Sequence, residues 1–276
     1  MLIAIASGKG GTGKTTVACN LARIAKTPVT LLDCDVEEPN DAFFIGGDLI
    51  DQTDVSIETP SVNDQLCTKC GVCSDFCKYN AIITLPKKVI VYDEMCHSCG
   101  GWIVCPHDAI TTNPKKLGEI SIFRNGETTL VQGQLKIGNV MSPQLISSVK
   151  KHISVNGLNI IDAPPGNTCP AIEAVDGVDY VVLVTEPTPF GLHDLKLSVA
   201  LLERRALRFG VMINRSDIGD DGVEKFCDAK GIPILARIPN DMRIAKAYSM
   251  GDTVVQSIPE YADLFRQLMN RIEGIA

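Results

Sequence analysis

Gly8-Lys9-Gly10-Gly11-Thr12-Gly13-Lys14-Thr15 follows an apolar run, LIAIAS (2–7), and leads into TTVACNLARIA (15–25), where apolar residues recur at helical spacing. The octet fits G-x-x-x-x-G-K-[ST] in full and lies between a strand and a helix, the setting in which that pattern binds phosphate. Glycines let backbone N–H groups turn inward around phosphate oxygens, with the positive end of the helix dipole behind them. Lys14 is then placed to reach β and γ phosphates and the Thr15 hydroxyl to hold Mg²⁺. Gly8, Gly10, Gly11, Thr12, Gly13 and Thr16 complete the candidate loop.

Outward from this loop, VTLLDCD (29–35) reads as a second strand, apolar without polar alternation, as a parallel strand covered on both faces must be. LNIIDAP (158–164), DYVVLVTEP (179–187), FGVMINR (209–215) and IPILARIP (232–239) follow, alternating with helical stretches at 192–206 and 221–231. Strands alternating with helices imply right-handed βαβ units and an α/β fold with a mostly parallel, doubly wound sheet. The alternation breaks between about residues 60 and 115, which hold the short apolar pieces AIITL and KKVIVY. Residues 120–138 read as a β-hairpin turning at Asn125-Gly126, the dipeptide of type I′ turns. We therefore expect a discontinuous parent domain, 1–60 and 116–276, with a small α+β module inserted at 61–115.

The 276 residues are 45% hydrophobic, enough for a packed core. A net charge of -7, without blocks of like charge, argues against nucleic acid as a partner. No apolar run reaches 18 residues, so no membrane insertion is expected, and MLIAIASGKGG lacks the long apolar stretch of an export signal. The expected location is the cytoplasm. There, eleven cysteines with seven between Cys67 and Cys105 point to metal and not to disulfides. Cys19, Cys34, Cys169 and Cys227 stand alone and read as small core residues.

Three acidic residues at two strand ends join the loop. Asp33 and Asp35 end the second strand in DCDVEEPN, and Asp162 ends a later strand in DAPPG, so all three reach the C-terminal edge of a parallel sheet, where ligands bind. Each is also a plausible helix N-cap. With Lys9 in the second position of the glycine loop, SGKGGTGKTT resembles the MinD/ParA/Mrp group of deviant Walker ATPases. The resemblance implies ATP hydrolysis with Mg²⁺ in a homodimer that sandwiches the nucleotide, Lys9 reaching the partner subunit's nucleotide. It further implies that Asp35 positions or activates the attacking water, Asp162 holds the Mg²⁺ shell through water, and Gly166 gives its N–H to the γ-phosphate. Asn214 and Pro239, in the segments VMINR and RIP, would flank the adenine. On composition alone, Lys9 reads equally as a surface lysine and Asn214 as a turn former.

Cys67, Cys70, Cys73 and Cys77 form C-x₂-C-x₂-C-x₃-C, the run that wraps a cubane iron–sulfur cluster with three ligands and sends the fourth to a neighbouring cluster. Thiolates are soft donors suited to iron–sulfur, a tetrahedral zinc site being the competing reading. The second group, Cys96, Cys99 and Cys105-Pro106, has Trp102 where its third cysteine belongs. In the crossed arrangement a first [4Fe–4S] cluster uses Cys67, Cys70, Cys73 and Cys105, a complete set. A second has only Cys77, Cys96 and Cys99, with Asp108, His97 and His107 nearby. Three thiolates suit a three-iron cluster or a four-iron cluster with an exchangeable corner, and an empty site or another metal is the alternative.

Together these motifs resemble the MinD-superfamily ATPases that contain an inserted ferredoxin domain, a likeness covering nearly the whole chain. The implied function is a dimeric, ATP-hydrolysing switch coupled to an iron–sulfur module, in electron transfer or redox-linked regulation of a partner protein. One alternative is an Mrp-like cluster scaffold or carrier, although such relatives carry a late C-x-x-C and here Cys227 is the sole late cysteine. The other is a MinD-like positioning ATPase, for which the amphipathic C-terminal segment YADLFRQLMNRIEGIA would have to meet a membrane. An amidotransferase of the cobyrinate type ranks last, for want of a glutaminase-sized domain.

Overall fold

In chain order the strands of the computed structural model, which describes residues 1–275, are β1 (Leu2–Ala6), β2 (Val29–Asp33), β3 (Asp48–Val62), β4 (Ile82–Thr84), β5 (Val89–Val91), β6 (Ile110–Asn125), β7 (Thr128–Leu135), β8 (Leu158–Asp162), β9 (Tyr180–Thr185), β10 (Phe209–Asn214) and β11 (Ile234–Ile238). Nine of them form one sheet in the order β11-β10-β9-β1-β8-β2-β7-β6-β3. From β11 to β7 every neighbouring pair is parallel. The expected mostly parallel α/β sheet is therefore present.

The chain divides into two compact units, one comprising Met1–Gln52, Ile120–Gln134 and Pro143 onward, the other Thr53–Glu119 and Leu135–Ser142. In the first, β2, β8 and β9 are buried from end to end, which is why their sequences carry no polar alternation. The helix Lys14–Ile24 covers one face with Val17, Ala18 and Leu21, and the last helix, Ala262–Ile275, adds Phe265, Leu268 and Ile272. These three residues, at helical spacing, are each 0% exposed, so the amphipathic stripe of the C-terminal segment is occupied by the core. Among the described residues no helix is long and apolar enough to cross a membrane.

Register places the chemistry. Ile5 and Asp33 both lie opposite Asp162, so the C-terminal ends of β1, β2 and β8 meet at one edge, beside the glycine loop that leaves β1. The hairpin differs by one residue from its sequence reading. Its loop is Gly126-Glu127, and only Gly126 has positive φ (57°), the first central position that type II′ turns give to glycine. Asn125 is instead the last residue of β6, and its side-chain amide donates to the Ile45 carbonyl at 2.7 Å.

The second unit contains the β4/β5 hairpin, the helix Val72–Phe76 and two single 3₁₀ turns, Asp93–Met95 and Gly101–Val104. Its backbone repeats itself. Lys69 (φ 60°) and Gly71 (φ 86°) around Cys70 are matched by Ser98 (φ 50°) and Gly100 (φ 76°) around Cys99, and Asn80 (φ 54°), three residues after Cys77, by Asp108 (φ 49°), three after Cys105. Non-glycine residues rarely adopt such left-handed angles, so their recurrence at equivalent places marks one local fold used twice.

Candidate functional site

The loop from β1 to the helix Lys14–Ile24 owes its path to glycine. Gly11 (φ 75°) and Gly13 (φ 99°) are left-handed, and a Cβ on Gly13 would stand 2.6 Å from Asn214 Nδ2. Gly8 lies against the helix Pro189–Arg204, where a Cβ would come within 2.6 Å of Asp194 Cβ. The loop opens on a cleft of about 490 Å³, lined among others by Gly10, Gly11, Gly13, Lys14, Thr15 and Thr16. Such a volume suits a small-molecule ligand. Asp35, Asn214 and Pro239 also line it, whereas Gly166 does not. The Gly166 N–H donates to the Ser7 carbonyl at 2.9 Å, so the proposed phosphate contact of that group is already spent on the loop.

The acids at the sheet edge take separate roles. Asp162 is 0% exposed and accepts a 2.6 Å hydrogen bond on Oδ2 from the Thr15 hydroxyl, while its buried Oδ1 has no hydrogen-bond partner. Burial pushes its carboxyl up to about 7, against the pull of Lys14. An orphaned buried oxygen beside a threonine hydroxyl is the donor set a hydrated Mg²⁺ would satisfy. Asp35 is partly buried in the cleft, its carboxyl raised to about 6 by burial with Lys14 opposing. Asp33 faces inward, 1% exposed, and accepts the backbone N–H groups of Asp35 (3.1 Å), Asn40 (3.0 Å) and Asp41 (3.2 Å). It therefore holds the segment that presents Asp35. Replacing Asp33 by alanine leaves three donors without their acceptor and should cost about 2–4 kcal/mol of stability. Asp33→Asn, which keeps one acceptor oxygen, should lose visibly less, and equal denaturation midpoints for the two variants would contradict this role.

Lys9 Nζ sits 3.1 Å from Glu186 Oε2, and Arg215 Nη1 lies 2.6 Å from Glu186 Oε1. Glu186, whose side chain is 8% exposed, thus gathers both cations directly after β9. Asn214 Nδ2 donates to the Thr12 carbonyl at 2.8 Å, which ties the end of β10 to the glycine loop.

In the second unit the cysteines sort into two cavities. Cys67, Cys70, Cys73 and Cys105 line one, and Cys77, Cys96 and Cys99 line another with Trp102 in its wall. Cys73 also touches the second cavity, as expected where two neighbouring sites share one run. All eleven cysteines are free thiols. No three His, Cys, Asp or Glu side chains among the described residues converge as a single ion would require. Soft thiol side chains lining each cavity are the donor type that iron–sulfur clusters take.

Residues 3–254 match the family model described as the CobQ/CobB/MinD/ParA nucleotide binding domain. The chain belongs to this family. A Pyrococcus furiosus cell division ATPase MinD has the same fold, at TM-score 0.62 and 25% identity, with 100% of this chain and 99% of that one covered. An uncharacterized protein of Methanocaldococcus jannaschii is 30% identical, covering 100% of this chain and 96% of its own. An iron–sulfur cluster carrier protein of Pyrococcus furiosus is 27% identical, covering 99% and 87%. The family model is that of a nucleotide-binding domain, and the cleft beside the glycine loop is the candidate place for that ligand.

Two residues at or beside that cleft escaped the sequence reading. Glu186 follows a buried strand at the same sheet edge as Asp162, a positional signal that was available. Tyr248 lines the cleft and packs on Phe44 with ring centroids 4.7 Å apart. Its helix, Met242–Ser249, shows apolar periodicity but nothing in sequence ties it to the loop.

Proposed function

We propose that this protein is an ATP-hydrolysing switch whose nucleotide state governs an iron–sulfur module carried in the same chain. The observation that supports it best is the coexistence of a cleft joining Lys14, Thr15, Asp35 and Asp162 with a four-cysteine cavity. Lys14 and the loop N–H groups orient the triphosphate, and Thr15 with Asp162 would hold Mg²⁺, which supplies charge neutralisation at the β and γ oxygens. Asp35 accepts the proton of the attacking water as its oxygen bonds to the γ-phosphorus, and the bond to the bridging oxygen breaks with its electron pair leaving on ADP. Glu186 holds Lys9 within one chain, and exchange of that contact for a second copy's nucleotide would make dimerisation part of the cycle. Cys67, Cys70, Cys73 and Cys105 would bind a [4Fe–4S] cluster, which supplies one-electron chemistry. The module, placed by sequence at 61–115, is read as the ferredoxin-like insertion.

Asp35 gives the mechanism a pH signature. With its carboxyl at about 6, kcat/KM for ATP hydrolysis should fall about tenfold per pH unit below that value. Unfolding does not explain such a limb. A carboxyl raised on folding contributes stability that is complete below about pH 4, its unfolded value, and fades as pH rises through about 6. A rate that is flat from about pH 5 to about pH 7 would remove Asp35 as the base.

A second reading, cluster carriage, is favoured by the likeness to the iron–sulfur cluster carrier protein. Against it stands Cys227, the late cysteine. It is fully buried, and burial pushes its thiol up to about 11, so it is poorly suited to ligate a shared cluster. ATP-stimulated cluster transfer to an apo-acceptor would favour carriage over the switch.

A further inference from the structure

The cavity of Cys77, Cys96 and Cys99 is built like its neighbour but with one ligand fewer. Lys69 and Ser98, Cys70 and Cys99, Gly71 and Gly100, and Cys73 and Trp102 are each 29 residues apart. The left-handed angles coincide at the paired loop positions, and the helix Val72–Phe76 is answered by the 3₁₀ turn Gly101–Val104. Trp102 therefore occupies, by backbone as well as by spacing, the place from which Cys73 serves the first cavity.

The second cavity is nevertheless prepared for a cluster. Backbone N–H groups approach two of its sulfurs, from Ala81 to Cys77 Sγ at 3.3 Å and from Ser98 to Cys96 Sγ at 3.5 Å, the contacts that stabilise anionic thiolate on iron. Its cysteines are drawn from both groups of the run. A Cβ on Gly101 would meet the Phe76 ring at 2.8 Å and Cys99 Sγ at 3.3 Å, so the wall at this point has room only for glycine. The remainder of the wall holds Cys73, which also serves the first cavity, and His97, beside the apolar and aromatic Phe76, Tyr79, Ile82 and Trp102. Tyr79 and His97 stack face to face, with ring centroids 3.5 Å apart and planes 7° from parallel, which fixes the imidazole against the phenol ring.

We propose that this cavity holds a second, site-differentiated iron–sulfur cluster, ligated by Cys77, Cys96 and Cys99, whose fourth iron faces Trp102, carries no protein thiolate and is exchangeable. The proposal rests on the reading of the unit as an iron–sulfur module. Oxidation then has a defined course. The four-iron cluster, two positive charges on its core, gives one electron to ferricyanide and releases the unligated iron as Fe²⁺. The three-iron core that remains has one positive charge and three ferric ions, an odd electron count that must be paramagnetic. No proton moves. The first cluster, with four thiolates, keeps its iron under the same treatment.

The test uses anaerobically prepared full-length protein treated with stoichiometric ferricyanide. The expected result is release of roughly one iron per chain and an EPR signal of a three-iron cluster, both reversed by Fe²⁺ with a reductant. Cys96→Ala should lose that signal and keep the first cluster, Cys70→Ala should do the opposite, and Trp102→Cys should keep its iron through oxidation. Preserved iron and no signal in the oxidised wild type, or a signal unaffected by Cys96→Ala, overturns the proposal. A Trp102→Cys variant that folds with both clusters and still releases iron overturns the assignment of the open corner. Protein without any inorganic sulfide refutes the module itself, whereas sulfide lost in Cys70→Ala but unchanged in Cys96→Ala refutes the second cluster alone.

Discussion

Lys14→Ala should weaken ATP binding by about 30-fold or more, measured by calorimetry with Mg²⁺ present. Lys14 is 6% exposed at the start of its helix, and in the nucleotide complex its ammonium would be a desolvated partner of phosphate oxygens. Truncating one side of such a pair costs about 2–5 kcal/mol, which is roughly 30-fold to several-thousand-fold in affinity. The apo-protein should survive the change. Lys14 now holds down the carboxyls of Asp162 and Asp35 against burial, and without it both groups relax by taking up protons more readily. A variant that is folded at neutral pH and binds ATP as wild type does would remove the glycine loop as the triphosphate site.

Cys70→Ala should remove the first cluster, and with both cavities filled the chain should lose roughly half of its iron and sulfide. Cys70 is exposed, so the substitution leaves no core void, and any loss of thermal stability reports the missing cluster. Cys227→Ala is the matched control. That residue is 0% exposed in the first unit, so its loss should lower stability through a small cavity while iron content stays constant. Iron that falls equally in the two variants would show that it is not held by the cysteine run.

The parallel core was legible because its strands are buried on both faces. Uninterrupted apolar runs such as YVVLVT at 180–185 cannot be read as anything exposed, and the structure ends them within a residue or two of their sequence limits. β3 was not legible for the opposite reason. It stands last in the sheet order, most of Asp48–Ser56 is exposed, and DLIDQTDVS offers neither a run nor a clean alternation. β6 likewise begins ten residues before the expected hairpin, through the polar and proline-containing ITTNPKK. In the site, motif spacing named Lys14 and Thr15, and a strand end within DAPPG named Asp162. Neither signal separated Asp33 from Asp35, two residues apart on one strand end. Only the fold shows that the first is buried under the backbone of residues 35–41 while the second opens to the cleft. Glu186 has a strand-end position that could be read locally, but its contact with Lys9 joins positions 177 residues apart and could not. The cysteine spacing carried more, because the two sets it defines, on short curled segments, line two separate cavities.

The measurement that bears most directly on the central claim is the reduction behaviour of the iron–sulfur module with and without MgATP, followed by EPR in anaerobically prepared protein. The account predicts that MgATP changes the midpoint potential of the module or its rate of reduction by an external donor, and that Lys14→Ala abolishes the change while keeping the clusters. Identical potentials and rates, with the nucleotide site and the clusters both verified as full, would contradict it.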